Sequence, residues 1–231
     1  MTYISSTAYG GTNSLGVFKF AKALSDYLGT AKTYSVLGNN FGNSGATSIN
    51  WDIGVGNLNN QLFTGDIVGT AITVGGSIHK NDPAAMRAIS DAKQGYDLFR
   101  AMSPTGTGSG TVTGDLIGLT LSPGVYHATG VMSNTGSFTL DGMGDPSAVF
   151  VLQCDGAYSP AAGSTTLLTN GTQSKNVYWQ IAGAMSAAPC TLVGNFICAG
   201  NITLATAASV QGRLVAFQGM INFSANTVLT T

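Results

Sequence analysis

The sequence predicts a mainly β protein: a β-solenoid of short stacked strands, with one long α-helix packed alongside and a short N-terminal helix. Three observations predict it. The last quarter, from Asn176 to Thr231, repeats with a step of 18 residues; Gly- and Asn-rich stretches before it carry brief apolar alternations; and residues 82–103 switch to helical periodicity. Sliding the chain against itself by 18 sets Thr191-Leu192-Val193-Gly194 over Ser209-Val210-Gln211-Gly212, and that over Thr227-Val228-Leu229. The same step sets Tyr178 over Phe196 and Leu214, and Ile202 over Met220. A unit this short cannot enclose a core, so the units must stack, each burying apolar residues against the next. Each coil would supply three short strands, with Gly and small polar residues at the corners.

Composition narrows the function. Charged residues are 8% of the 231, against a usual quarter, while 44% are hydrophobic, so the chain folds and presents little charge. A formal net charge of −1 lacks the Lys/Arg footprint of a nucleic-acid partner. Between Gly156 and Thr231 only Lys175 and Arg213 are charged, so whatever this surface touches is itself expected to be uncharged. No segment reaches the roughly 20 apolar residues of a membrane span. Met1-Thr2-Tyr3-Ile4 shows no secretory leader, and an extracellular or cell-surface protein would have lost its leader or left by another route. Three cysteines, Cys154, Cys190 and Cys198, form no CxxC pair and read as buried fillers in different columns of the repeat.

In chain order, residues 1–30 form an arm and a short helix: Val17, Phe20, Ala21, Leu24 and Leu28 have helical spacing, with Asn13 or Ser14 as cap and Gly29 as stop. This segment either caps an open end of the solenoid or docks on a neighbouring copy. Residues 31–231 form a single domain. Its first coils are irregular, carrying the alternations Tyr34–Leu37, Trp51–Ile53 and Ala71–Val74. Asp82-Pro83 then supplies an N-cap and a first-turn proline; Met86, Ile89, Lys93, Tyr96 and Arg100 lie along one line with Ala85, Ala92 and Phe99 beside it, and Ser103-Pro104 ends the helix. A Gly/Thr/Ser linker, residues 105–110, returns the chain to strands.

The residues that follow are less generic. Leu121-Ser122-Pro123-Gly124-Val125-Tyr126, the run from Gly144 to Gln153, Asn176-Val177-Tyr178-Trp179-Gln180 and Val193-Gly194-Asn195 together resemble the microbial ice-binding family. The resemblance covers about residues 29–231. It implies a right-handed, three-faced β-solenoid flanked by one long helix, with an ice surface as partner and no cofactor. Active members carry Thr-(Ala/Gly)-x-(Thr/Asn) on the ice-facing side, and the corresponding stretches here are Ala188-Pro189-Cys190-Thr191, Thr206-Ala207-Ala208-Ser209 and Ser224-Ala225-Asn226-Thr227. An earlier coil, 27 residues back, offers Ala161-Ala162-Gly163-Ser164. Two columns emerge: Ala161, Ala188, Thr206 and Ser224; and Ser164, Thr191, Ser209 and Thr227. The hydroxyls of Ser164, Thr191, Thr206, Ser209, Ser224 and Thr227 are therefore the expected ice-binding residues.

Catalysis is not expected. His79 and His127 have no second ligand at metal spacing, Asp141, Asp145 and Asp155 form no evident convergent pair, and no GxSxG is present. The competing reading is a structural or adhesive subunit of an extracellular or viral surface assembly, built on the same solenoid and joined through residues 1–28.

Overall fold

The computed structural model describes residues 11–12, 18–19, 24–56, 67–69, 71–106 and 110–230. Nearly every strand pairs in parallel with its counterpart one coil away, giving a parallel sheet wound into a nearly closed, solenoid-like form. The pairings fall into three series. The first includes Gly124–Ala128, Phe150–Cys154, Val177–Ile181 and the later part of Thr191–Cys198, and continues through the middle of Ser209–Phe223. The second includes Met132–Asn134, Tyr158–Pro160, Met185–Ala187 and Ile202–Leu204. The third is in two blocks: Thr120–Leu121, Ser137–Asp141 and Thr165–Thr169 form one sheet, while Thr191–Cys198 and Ser209–Phe223 open the other.

Residues 34–80 do not stack ahead of the later coils in chain order. They stack on the last one. Tyr34–Asn43 pairs with Ser209–Phe223 from Leu214↔Val36 to Phe223↔Asn43, and Thr47–Ile49 pairs with Thr227–Leu229. Asp52–Val55, Ile67–Gly69 and Ile72–Val74 then add a further coil, and Ile78–Lys80 pairs with Asp52–Val55 to begin the next. A polar clasp holds this seam. Asn50 Nδ2 donates to Thr230 O at 3.1 Å, Thr230 N donates to Asn50 Oδ1 at 2.8 Å, and Thr230 Oγ1 lies 2.6 Å from Ser35 Oγ.

The interior is filled by alternate side chains of each strand, such as Phe150, Leu152 and Cys154 on one coil and Val177, Trp179 and Ile181 on the next. Tyr158, Trp179 and Phe196 stack with ring centroids 4.7 and 5.3 Å apart, and Trp179 Nε1 donates to Val193 O at 2.9 Å, satisfying the buried indole. The step of 18 holds where Thr191 pairs with Ser209 and Ser209 with Thr227, but not everywhere. Trp179, not Tyr178, pairs with Phe196, and Ile202 pairs with Ile221 rather than Met220, because corner lengths differ and the register shifts between Ala216 and Met220. All three cysteines are buried, but Cys154 and Cys198 share one column with Ile181 between them, correcting the expectation of separate columns.

The helix α1, Pro83–Arg100, begins as the sequence predicts: Asp82 caps it by accepting from Ala85 N, with Pro83 in the first turn. Its buried stripe is Ala85, Ala88, Ile89, Ala92, Gly95, Tyr96 and Phe99, packed on Leu37, Val125, Val151, Tyr178, Ile197 and Val215 of the first series. Lys93 and Arg100, which lie on the expected apolar line, are exposed, since a charged head group stays in water while its stem covers apolar surface. At the far end Gln153 Nε2 donates to Phe99 O at 2.6 Å and to Met102 O at 2.9 Å, tying the end of the helix to the solenoid and adding to the bond Phe99 O accepts from Met102 N.

The N-terminal helix expected from the spacing of Val17 to Leu28 falls partly outside the described residues, and the described part is not α-helical. Phe18–Lys19 pairs antiparallel with Gly11–Thr12, and Leu24–Thr33 is a 3-10 segment kinked at Gly29, φ 52°. Tertiary contact overrides the helical spacing here: Leu28 and Ala31 pack with Ala88 and Ala92 in the core against α1, and Thr30 N and Oγ1 both donate to Asp91 Oδ2 at 2.8 Å. The alternatives of capping and docking rest mainly on residues outside those described.

Two outcomes follow from this packing. Gly212 has φ 149°, and a Cβ there would overlap the Gly194 carbonyl, so Gly212→Ala should lower stability by about 3 kcal/mol or more in denaturant unfolding. Gln153→Leu should cost about 1–3 kcal/mol by removing a buried donor from the Phe99 and Met102 carbonyls, and hydrogen exchange should quicken first in the last turn of α1.

Candidate functional site

The third series leaves a line of hydroxyls on the outside of the molecule. Thr191 pairs with Ser209, Ser209 with Thr227, Thr227 with Ser48, and Ser48 with Thr73, so five side chains from five consecutive coils project on one side. In the other block Ser137 pairs with Thr165, and their hydroxyl oxygens lie 2.7 Å apart. Ser209 Oγ donates to Thr191 Oγ1 at 3.3 Å. Ser209 and Thr165 are half-buried and the other five are exposed. Rungs of such a ladder repeat at about 4.8 Å, and the threonines hold narrow χ1 preferences.

The corner leading into this series explains the pattern. Gly163, Ala207 and Ala225 have φ of 72°, 65° and 54°, a left-handed turn that swings the next residue inward. Ser164, Ala208 and Asn226, which follow these turns, are buried, as are Cys190 and Thr47 at the equivalent corners, and the residue after each points out. Asn226 shows what the inward position does: its Nδ2 donates to Ala205 O at 2.8 Å and Ala208 O at 2.9 Å, and Thr47 Oγ1 accepts from Asn226 N at 3.2 Å. Pro189 cannot take positive φ, yet Cys190 is still buried and Thr191 still joins the column.

Of the six hydroxyls expected from the sequence, three, Thr191, Ser209 and Thr227, form the column as read. Ser164 does not. It is 2% exposed, because the left-handed Gly163 sets the outward position one residue later, at Thr165. Ser224 lies at the corner with its Oγ 3.1 Å from Ser44 Oγ. Thr206 is exposed but is one residue out of line with Ser224, since extending the pairing of Thr203 with Asn222 by two places sets Ala205 against Ser224. Sequence reasoning missed Ser137, Thr165, Ser48 and Thr73. Thr165 was signalled by the alternation after Gly163. Ser48 and Thr73 join through the seam, which no period reveals.

The surroundings are nearly uncharged. Among the described residues, the outward positions of the third series carry one charge, Asp141, at its far end. The Met143 backbone N–H and the Asn170 amide hold its carboxyl below the usual range, so it is ionised at neutral pH. The neighbouring second series presents Ser133, Ser159, Ser186 and Thr203 outward. The histidines expected to be without metal partners sit beside single carboxylates: His127 Nε2 is 3.0 Å from Asp155 Oδ2, and His79 Nδ1 is 2.6 Å from Asp82 Oδ2. No group of three metal-ligating side chains occurs among the described residues. Asp145 serves its own turn, accepting from Ser147 N at 2.8 Å and Ser147 Oγ at 2.6 Å.

The one-residue frame of the corner can be read with a thiol probe, because the native cysteines are buried and burial raises their thiol pKa values. Thr165→Cys should react with a maleimide in the folded protein, and Ser164→Cys should react roughly tenfold or more slowly until the chain is unfolded. Equal rates would show that the frame is wrong.

Comparison with known proteins places this architecture. The chain is similar to an ice-binding protein of Nostoc sp. (strain HG1), 35% identical over 212 residues that span 90% of this chain and 76% of the relative. It is similar in structure to an ice binding protein from an Antarctic biological consortium, with TM-score 0.79, 33% identity, and 88% of this chain and 90% of that chain covered. It is also similar to the ice-binding protein of the Antarctic ascomycete Antarctomyces psychrotrophicus, with TM-score 0.74, 30% identity, and 87% and 96% coverage. A profile of one family matches residues 36–229, and with that span matched the chain belongs to the Ice-binding-like family.

Proposed function

We propose that this protein binds ice and restrains its growth or recrystallisation, acting outside the cell through the hydroxyl column of the third series and the adjoining corner. The three series of strands are then three faces of a right-handed solenoid, with one covered by α1 and the third facing ice. The observation that carries the reading is the register: Thr191, Ser209, Thr227, Ser48 and Thr73 repeat one per coil without a charged residue among them. Family membership supports it, and the relatives named above are ice-binding proteins.

The physical chemistry is that of a stiff template. Hydroxyls and threonine methyls are held by a hydrogen-bonded ladder, so little side-chain entropy is lost when water orders over them. The hydroxyls hydrogen-bond that ordered layer and the methyls occupy gaps in it. A charge on the column would orient water radially and spoil the match. Thr206 and Ser224, on the corner, extend the patch towards the second series.

The test uses substitutions that add bulk without touching the core. Thr227→Tyr should abolish the faceting of ice crystals grown in the purified protein, leaving the melting midpoint unchanged, and Thr206→Tyr should weaken it. Crystals as strongly faceted with Thr227→Tyr as with the unaltered protein would reject this surface as the ice site.

A further inference from the structure

Two residues beyond the hydroxyl column, the same strands project a second outward line. It runs Thr139, Leu167, Val193, Gln211 and Leu229 from coil to coil. Val193 is 4% exposed, lying where the short 3-10 turn Ser174–Asn176 packs on the strand. Leu167 and Leu229 are different: they are 48% and 51% exposed, whereas the other leucines whose side chains are described are buried or half-buried. Single exposed apolar residues need no explanation. These two are not scattered. Both follow a hydroxyl of the column by two places, Thr165 and Thr227, and both stand on the same surface, about 14 Å apart at three coil spacings.

We infer that Leu167 and Leu229 belong to the ice-binding surface and supply apolar contact beside the hydroxyl column, widening it from one line to two. The inference rests on the ice-binding reading above. A leucine beside a threonine row cannot hydrogen-bond the ordered layer, and it contributes by shedding its own hydration shell when that layer becomes ice-like. The partner must therefore accept hydroxyl and methyl groups side by side; the column itself carries no charge, and Lys175 of the Ser174–Asn176 turn lines a groove with Gln211 beside the leucine line. A second protein copy fits less well, because two half-exposed leucines fall far short of the roughly 800 Å² per partner of a stable protein interface.

The experiment compares Leu167→Asn, Leu229→Asn and their combination with Leu229→Met, which keeps the apolar contact. Thr227→Tyr tests the column itself, and Ser186→Tyr, on the second series, is the control. Thermal hysteresis, thermal unfolding and sedimentation are read for each. The double Asn variant should lose hysteresis about threefold or more with unchanged unfolding and mass, while Leu229→Met and Ser186→Tyr keep it. Full hysteresis in the double variant, with hysteresis lost in Thr227→Tyr, overturns the leucine line and leaves the ice site standing. Full hysteresis in both overturns the ice site as well. A self-associating protein that becomes monomeric in the Asn variants, with hysteresis intact, shows instead that the leucines meet another copy and also overturns the inference.

Discussion

The pairing of Tyr34–Asn43 with Ser209–Phe223 is the contact on which the rest depends. It joins two stretches of strand that α1 separates in the chain. Its register places Ser48 beside Thr227 and carries the hydroxyl column across the boundary. It also completes the surface on which α1 lies, since Leu37 comes from one side of the seam and Val215 from the other. The Asn50–Thr230 clasp locks the register, because a slip of one residue would turn the outward hydroxyls into the core.

Local backbone geometry then decides which hydroxyls face out. A left-handed residue at the corner costs about 1 kcal/mol or more when it is alanine, and the chain uses alanine at Ala207 and Ala225 all the same. What it gains is a fixed frame: one residue in, held by groups such as the Asn226 amide, and the next one out. In Thr206–Ser209 and Ser224–Thr227 the third position is thus a structural residue and the fourth a surface one.

Much of this was legible in the sequence. The repeat gave the stacked strands, Asp82-Pro83 gave the start of α1, and Thr191, Ser209 and Thr227 were read in register because their coils share a common length. Errors arose where a coil changed length. The 27-residue offset points to Ser164 as the outward residue, but it runs through a corner whose left-handed Gly163 shifts the frame. Thr206 was set over Ser224 by the same constant step, although that corner holds one residue more than the next. Ser48 and Thr73 were invisible for another reason: their partners lie about 180 residues away or are reached through such a partner, and periodicity reports only neighbours. Leu24 and Leu28 fit a helical spacing, but packing of Leu28 on α1 holds them in a 3-10 segment, and Val17 and Phe20 lie outside the described residues.

The seam also sets the order in which the molecule can be made. On a growing chain, Tyr34–Asn43 and Thr47–Ile49 emerge long before Ser209–Phe223 and Thr227–Leu229, the strands that will cover them. Until then they present bare parallel edges, the kind of surface that recruits stray strands. α1 follows directly, and Ala88 and Ala92 can pack on Leu28 and Ala31 without any of the later coils. During synthesis α1 can therefore cover the outer face of the early strands but not their edge, and the fold closes only when the last strands return to meet the first.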